Sequence, residues 1–170
     1  MNTLSQIAGR YIGIKEIGFN DGFEDQSFEE KLISLGWKKK QAWCVFFAQL
    51  CVEEYLSQFD LALIERYRKC FSPSATKTLN NFKLYFPEMV SPIAEENALC
   101  VFQKHVNGKA HWQGHINVLT DRNSDIINTI DGNTGLDKRE GDGVDYNTWD
   151  LMSKPLTGLV FVGFINFPKL

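Results

Sequence analysis

The stretch QAWCVFFAQLCVEEYL, residues 41–56, decides the fold of this chain. Trp43, Phe46, Phe47, Leu50, Cys51 and Tyr55 recur at three- and four-residue spacing and cover one broad side. That pattern predicts a helix over 41–57 that is buried on most of its surface. Cys44 falls in its first turn. There it is either a small buried hydrophobe or a thiol whose ionisation the helix N-terminus favours. Cys51, two turns deeper between Leu50 and Val52, is expected to be core packing, as are Cys70 and Cys100 in apolar surroundings.

Upstream, Leu4, Ile7, Ala8 and Tyr11 lie at helical spacing, with Thr3 or Asn2 available as cap. After the polar loop GFNDGFEDQS, Ser27 and Glu30 have the spacing of a capping box for a helix that carries Phe28, Leu32 and Leu35 and stops at Gly36. Downstream, residues 60–81 are weakly helical and interrupted at 72–74, where Ser74 can cap a further short helix. Beyond Pro87 and Pro92 the period changes. ALCVFQK, GHINVLT, DIINTID and GLVFVGFINF are short, rich in β-branched and aromatic residues, and separated by Asn, Gly and Asp. Asn107-Gly108 is a hairpin signal, and DGNTGLDKREGDGVD is expected to be a long loop. Helices followed by strands predict one α+β domain over residues 1–170, its N-terminal helices packed on one face of a C-terminal antiparallel sheet.

With 170 residues, 44% of them hydrophobic, the chain can bury one sizeable core but not comfortably two. A net charge of -3 argues against general affinity for nucleic acid or anionic membrane, and Lys38–Lys40 falls short of a basic patch. There is no secretory pattern and no membrane-length apolar run, so the expectation is a protein synthesised in the cytoplasm without a signal peptide. Four irregularly spaced cysteines do not resemble a disulfide framework. No cofactor is expected, and nothing demands an oligomer, so a monomer is expected.

The histidines carry the chemistry further. His105 and His111 flank the hairpin turn, whereas His115 opens a strand directly after Gly114. A three-residue hairpin loop at Arg122-Asn123-Ser124 would pair Ile116 with Ile130, Val118 with Asn128 and Thr120 with Ile126, leaving His115 opposite Asp131 with Asn133 just beyond. An even slip keeps His115 and Asp131 on one face; an odd slip separates them. A thiol at a helix start, an imidazole, and a carboxylate or amide form the nucleophile, base and orienter of cysteine acyl-transfer enzymes. Two rivals are weaker. His111 and His115 have the spacing of zinc ligands on a helix, but their surroundings are β-rich, so no metal site is expected from them. Asp137, Glu140, Asp142 and Asp145 lack the order of an EF-hand.

Three segments together, KEIGFNDG, GWKKKQAWCVFFAQLCVEEY and GHINVLTDRNSDIINTIDGNTG, resemble the CHAP family of cysteine, histidine-dependent amidohydrolases/peptidases, an NlpC/P60-like, papain-related branch of peptidoglycan hydrolases. The resemblance covers roughly residues 10–135, with a final strand at 158–167. It implies a papain-like fold with Cys44 as nucleophile, His115 as general base, and Asp131 or Asn133 as the third member; Asp131 stands where the family usually has Glu. It also implies bacterial peptidoglycan as partner, an amide of the wall peptide as the bond cut, and either a phage lysin or a secreted antibacterial effector with an immunity protein. The family's calcium site is not carried over, because Lys38–Lys40 replace the acidic residues before the cysteine. Trp43, Trp112, Gly114 and the loop 132–143 are candidates for substrate binding, with core burial the alternative for Trp43. Two other functions fit the same fold: a non-catalytic wall-binding or virion module, and a cytoplasmic cysteine amidase acting on another peptide.

Overall fold

The computed structural model describes residues 1–134 and 142–169. Five helices come first: α1 (Leu4–Gly9), α2 (Gln26–Ser34), α3 (Cys44–Leu56), α4 (Leu61–Arg68) and α5 (Ala75–Tyr85). Six strands follow: β1 (Val90–Ser91), β2 (Ala98–Val106), β3 (Lys109–Asn123), β4 (Ile126–Thr134), β5 (Gly143–Asp150) and β6 (Gly158–Asn166). They form one antiparallel sheet in the order β1-β6-β2-β3-β4-β5, so the chain is α+β as its pattern predicts.

Local chemistry sets the helix starts. Thr3 and Gln6 form a reciprocal capping box on α1, and the Ser74 side chain accepts from Lys77 N on α5. The cap of α2 is Asp25 rather than Ser27: its carboxylate accepts from Phe28 N at 3.0 Å, which starts the helix two residues earlier than the Ser27–Glu30 spacing implies. Of the 13 residues of α3, 11 are buried, which makes it the central helix. Helices α1, α3 and α5 lie on β2–β4. Beside α3, Trp43, Phe23, Phe28 and Phe47 form an aromatic cluster, with Phe23 and Trp43 4.9 Å apart in an edge-to-face contact. The larger apolar cluster lies between helices and sheet and takes Leu99, Val101, Ile116, Val118 and Ile130 from the strands. A smaller one, with Cys100, Phe102, Leu119, Ile127 and Phe164, occupies the opposite face.

The β2–β3 turn is at Asn107-Gly108, both in the left-handed region, with Val106 paired to Lys109. The β3–β4 hairpin differs from expectation. Asn123 pairs with Ile126 across a two-residue turn whose Ser124 has φ 56°, and a bulge between Leu119 and Asp121 then re-phases the strands so that Val118 faces Ile130. The turn alone would put His115 and Asp131 on opposite faces; the bulge returns them to the same one.

Strand β5 occupies part of what the sequence marks as loop. Its residues alternate without a strongly apolar face, and the N–H groups of Tyr146 and Thr148 donate to the side chains of Asp145 and Asn147 at 2.7 and 2.8 Å. Those bonds blunt the sheet edge. Among the described residues no helix is long and apolar enough to cross a membrane.

Candidate active site

Cys44 is the first residue of α3 and 6% exposed. Trp43, which precedes it, makes no side-chain cap bond to the helix's opening amides. Strand β4 comes up against this end of the helix at Gly132. A Cβ there would lie 2.7 Å from Phe47 Cβ, one turn beyond Cys44, so only glycine permits the approach.

His115 lies next to Phe102 across β2 and β3. Its Nε2 is 2.8 Å from Asp131 Oδ2, and the remaining ring nitrogen, Nδ1, is the one left for the side-chain hydrogen bond with Cys44. Burial of the ring works against its charge, but the bonds to Asp131 and to Cys44 outweigh it and the histidine is pushed up to about 10. The imidazole is thus held in its charged form with the Cys44 side chain as one of its partners.

Asp131 is fully buried and collects donors on both oxygens. Besides His115, Oδ2 accepts from Asn117 Nδ2 at 3.1 Å and Asn147 Nδ2 at 3.4 Å, while Thr129 Oγ1 donates to Oδ1. This donor set matches a carboxylate and fixes its plane. Trp149 of β5 lies over the imidazole with ring centroids 5.9 Å apart.

Of the two residues expected to orient the imidazole, Asp131 is the one hydrogen-bonded to it. Asn133 sits two residues on in the left-handed conformation, φ 59°, with its Oδ1 buried and without a hydrogen-bond partner among the described residues. Trp43 does not line a groove: it is completely buried among aromatics and its Nε1 donates to Glu16 Oε2 at 2.8 Å. Trp112 is 69% exposed, and its carbonyl accepts from Thr76 Oγ1. Gly114 has a steric role, because a Cβ would lie 2.3 Å from the Phe102 carbonyl oxygen. In the loop 132–143, residues 135–141, including Asp137 and Glu140, lie outside the described residues. Among the described residues no group of three or more His, Cys, Asp or Glu could hold a metal. His111 and His115 share a strand rather than a helix, and His111 Nδ1 accepts from Gln113 N.

Burial pushes Cys51 and Cys100 well above the ordinary thiol range and raises Cys70 as well. They are protonated packing residues.

Asn117, Thr129, Asn147 and Trp149 were not anticipated. The first two had a signal: each is a polar residue on the His115 side of strands whose other side is apolar. Asn147 and Trp149 had none without β5. Comparisons with protein-family models, with curated proteins and with solved structures find no match, so the assignment of this site rests on its own chemistry.

Proposed function

We propose that the chain is a cysteine amidohydrolase/peptidase of the papain-like, NlpC/P60-like type, in its CHAP branch, and that it cuts an amide in the peptide of bacterial peptidoglycan. The observation that supports the chemistry is the continuous chain from Cys44 through His115 to buried Asp131, with the thiol at an uncapped helix start. The wall substrate rests on the resemblance of the sequence.

In this mechanism the Cys44 thiolate attacks the amide carbonyl, and the amides of α3's first turn receive the developing oxyanion. The His115 imidazolium gives its Nδ1 proton to the leaving amine, and a thioester to Cys44 remains. Neutral His115 then takes a proton from water, whose oxygen displaces the sulfur and releases the carboxylate product. Asp131 keeps the ring in the tautomer and orientation that both steps need. Exposed Trp112, three residues before His115, is the candidate aromatic wall of the substrate groove. A lysin or an antibacterial effector, the latter paired with an immunity protein that plugs this groove, are the biological settings that fit.

The test is mass spectrometry of fragments released from purified peptidoglycans of several chemotypes by wild type and Cys44→Ala. Fragments from wild type alone identify the bond. Equal release by both removes Cys44 from the chemistry, and no release by either folded protein removes the wall as substrate.

A further inference from the structure

Thr129, which donates to the Asp131 carboxylate, is itself held by Trp149, a residue that also reaches His115. Trp149 lies over His115 at an interplanar angle of 36° and over Phe102 at 4.5 Å. Its Nε1 also donates to Thr129 Oγ1 at 3.2 Å. A hydroxyl has a single proton. With the indole N–H occupying a lone pair of Thr129, that proton is directed away from Trp149 and onto Asp131 Oδ1, the acceptor Thr129 faces. The indole therefore reaches the imidazole by two routes: its π face lies against the ring, and its N–H acts through Thr129 and Asp131.

We propose that Trp149 is a positioning residue for the Cys44–His115 pair, holding the imidazole in its charged form through its ring face and fixing Asp131 through Thr129. The proposal deepens the cysteine hydrolase reading and rests on it. A purely structural tryptophan in the smaller apolar cluster would also satisfy its N–H, but it would not need to bring its ring to the imidazole. Within about 6 Å, a ring face favours a cation, and most strongly when that face belongs to tryptophan.

The groups around the imidazole are few. Asp131 comes from β4 and Cys44 from α3. Cys100 of β2 lies near Asp131, kept protonated by its burial and by that carboxylate, and Arg122 of β3 acts on Cys100 in the opposite sense. Among the described residues Asp131 and Cys44 are the charged partners of the ring, so a change at Trp149 or Thr129 should be legible in the titration of His115.

The test is NMR titration of the His115 imidazole, which needs no substrate, in wild type, Trp149→Leu, Trp149→Phe and Thr129→Val, with the iodoacetamide rate at Cys44 measured in parallel. The expected result is a fall in the His115 midpoint of about one pH unit, a loss of about tenfold in proton affinity, in Trp149→Leu and Thr129→Val. Trp149→Phe, which keeps a ring face and loses the N–H, should restore part of it. Cys44 should react more slowly in the same order. Should Trp149→Leu not fold, the Phe and Val variants carry the test. An unchanged midpoint in Thr129→Val, or a loss in Trp149→Leu that Phe does not partly restore, overturns the proposal. A shifted midpoint in a protein whose Cys44 is no faster than an ordinary thiol would instead overturn the hydrolase reading.

Discussion

The two faces of the sheet near the site are built from opposite materials. On the helix side, Gly132 lets Phe47 press onto β4, and Trp43, Phe23 and Phe28 close around the start of α3. On the other side, Asn117, Thr129, Asn147 and His115 converge on one buried carboxylate. The dry side fixes where the thiol is; the polar side fixes the protonation of its partner. Position is provided by non-directional packing, which tolerates small changes of shape, whereas the polar side works only if every donor keeps its acceptor.

The contrast can be broken from either side. The largest effect should come from Asp131→Ala, which leaves several buried donors without an acceptor; a loss of about 3–5 kcal/mol is expected, measured by urea denaturation, together with loss of hydrolysis. A loss below about 1 kcal/mol would mean that water satisfies the network and that it is not buried chemistry. Gly132→Ala attacks the dry side. The added methyl meets Phe47 at 2.7 Å and should cost about 1–3 kcal/mol while moving Cys44 relative to His115, so activity should fall more than stability alone explains. Full activity in that variant would show that β4 and α3 separate without consequence for the site.

The pH dependence sharpens the polar side. The folded-state pKa of His115 lies near 10, above its ordinary value of 6.5, so the native state binds the extra proton between those values. Its contribution to stability is complete below about 6.5 and is lost as pH rises toward 10; denaturation midpoints in wild type should decline across that window, and Asp131→Asn should flatten the decline. The smallest effect belongs to Cys51→Ala. A small buried thiol in mid-helix should cost about 1 kcal/mol with activity intact, and loss of turnover in the folded variant would mean that the two cysteines of α3 have been assigned the wrong way round.

What was legible in the sequence follows the same division. The burial of α3, the position of Cys44 in its first turn, the caps at Thr3 and Ser74 and the Asn107-Gly108 turn depend on local spacing, and local spacing is what a sequence displays. The pairing of His115 with Asp131 was anticipated on a register two residues out of step, because the turn at Ser124 and the bulge near Thr120 compensate each other in parity and neither has a distinctive residue. The shift also explains why Asn117, rather than His115, stands opposite Asp131 while both bond to it. Strand β5 was hidden because Asp145 and Asn147 spend their side chains on backbone amides, so its composition resembles a loop. Trp43 could be read either way, since a tryptophan before a catalytic cysteine and one in a core look alike until Phe23, Phe28 and Glu16 are seen around it.

The pairing of Cys44 with His115 is tested most directly by the rate of Cys44 alkylation by iodoacetamide near neutral pH, in wild type and in His115→Ala, with Cys51, Cys70 and Cys100 as internal references followed by peptide mass spectrometry. In wild type Cys44 should be the fastest of the four, and its rate should fall when His115 is removed from a protein that remains folded. An unchanged rate at Cys44 in His115→Ala would contradict the pairing.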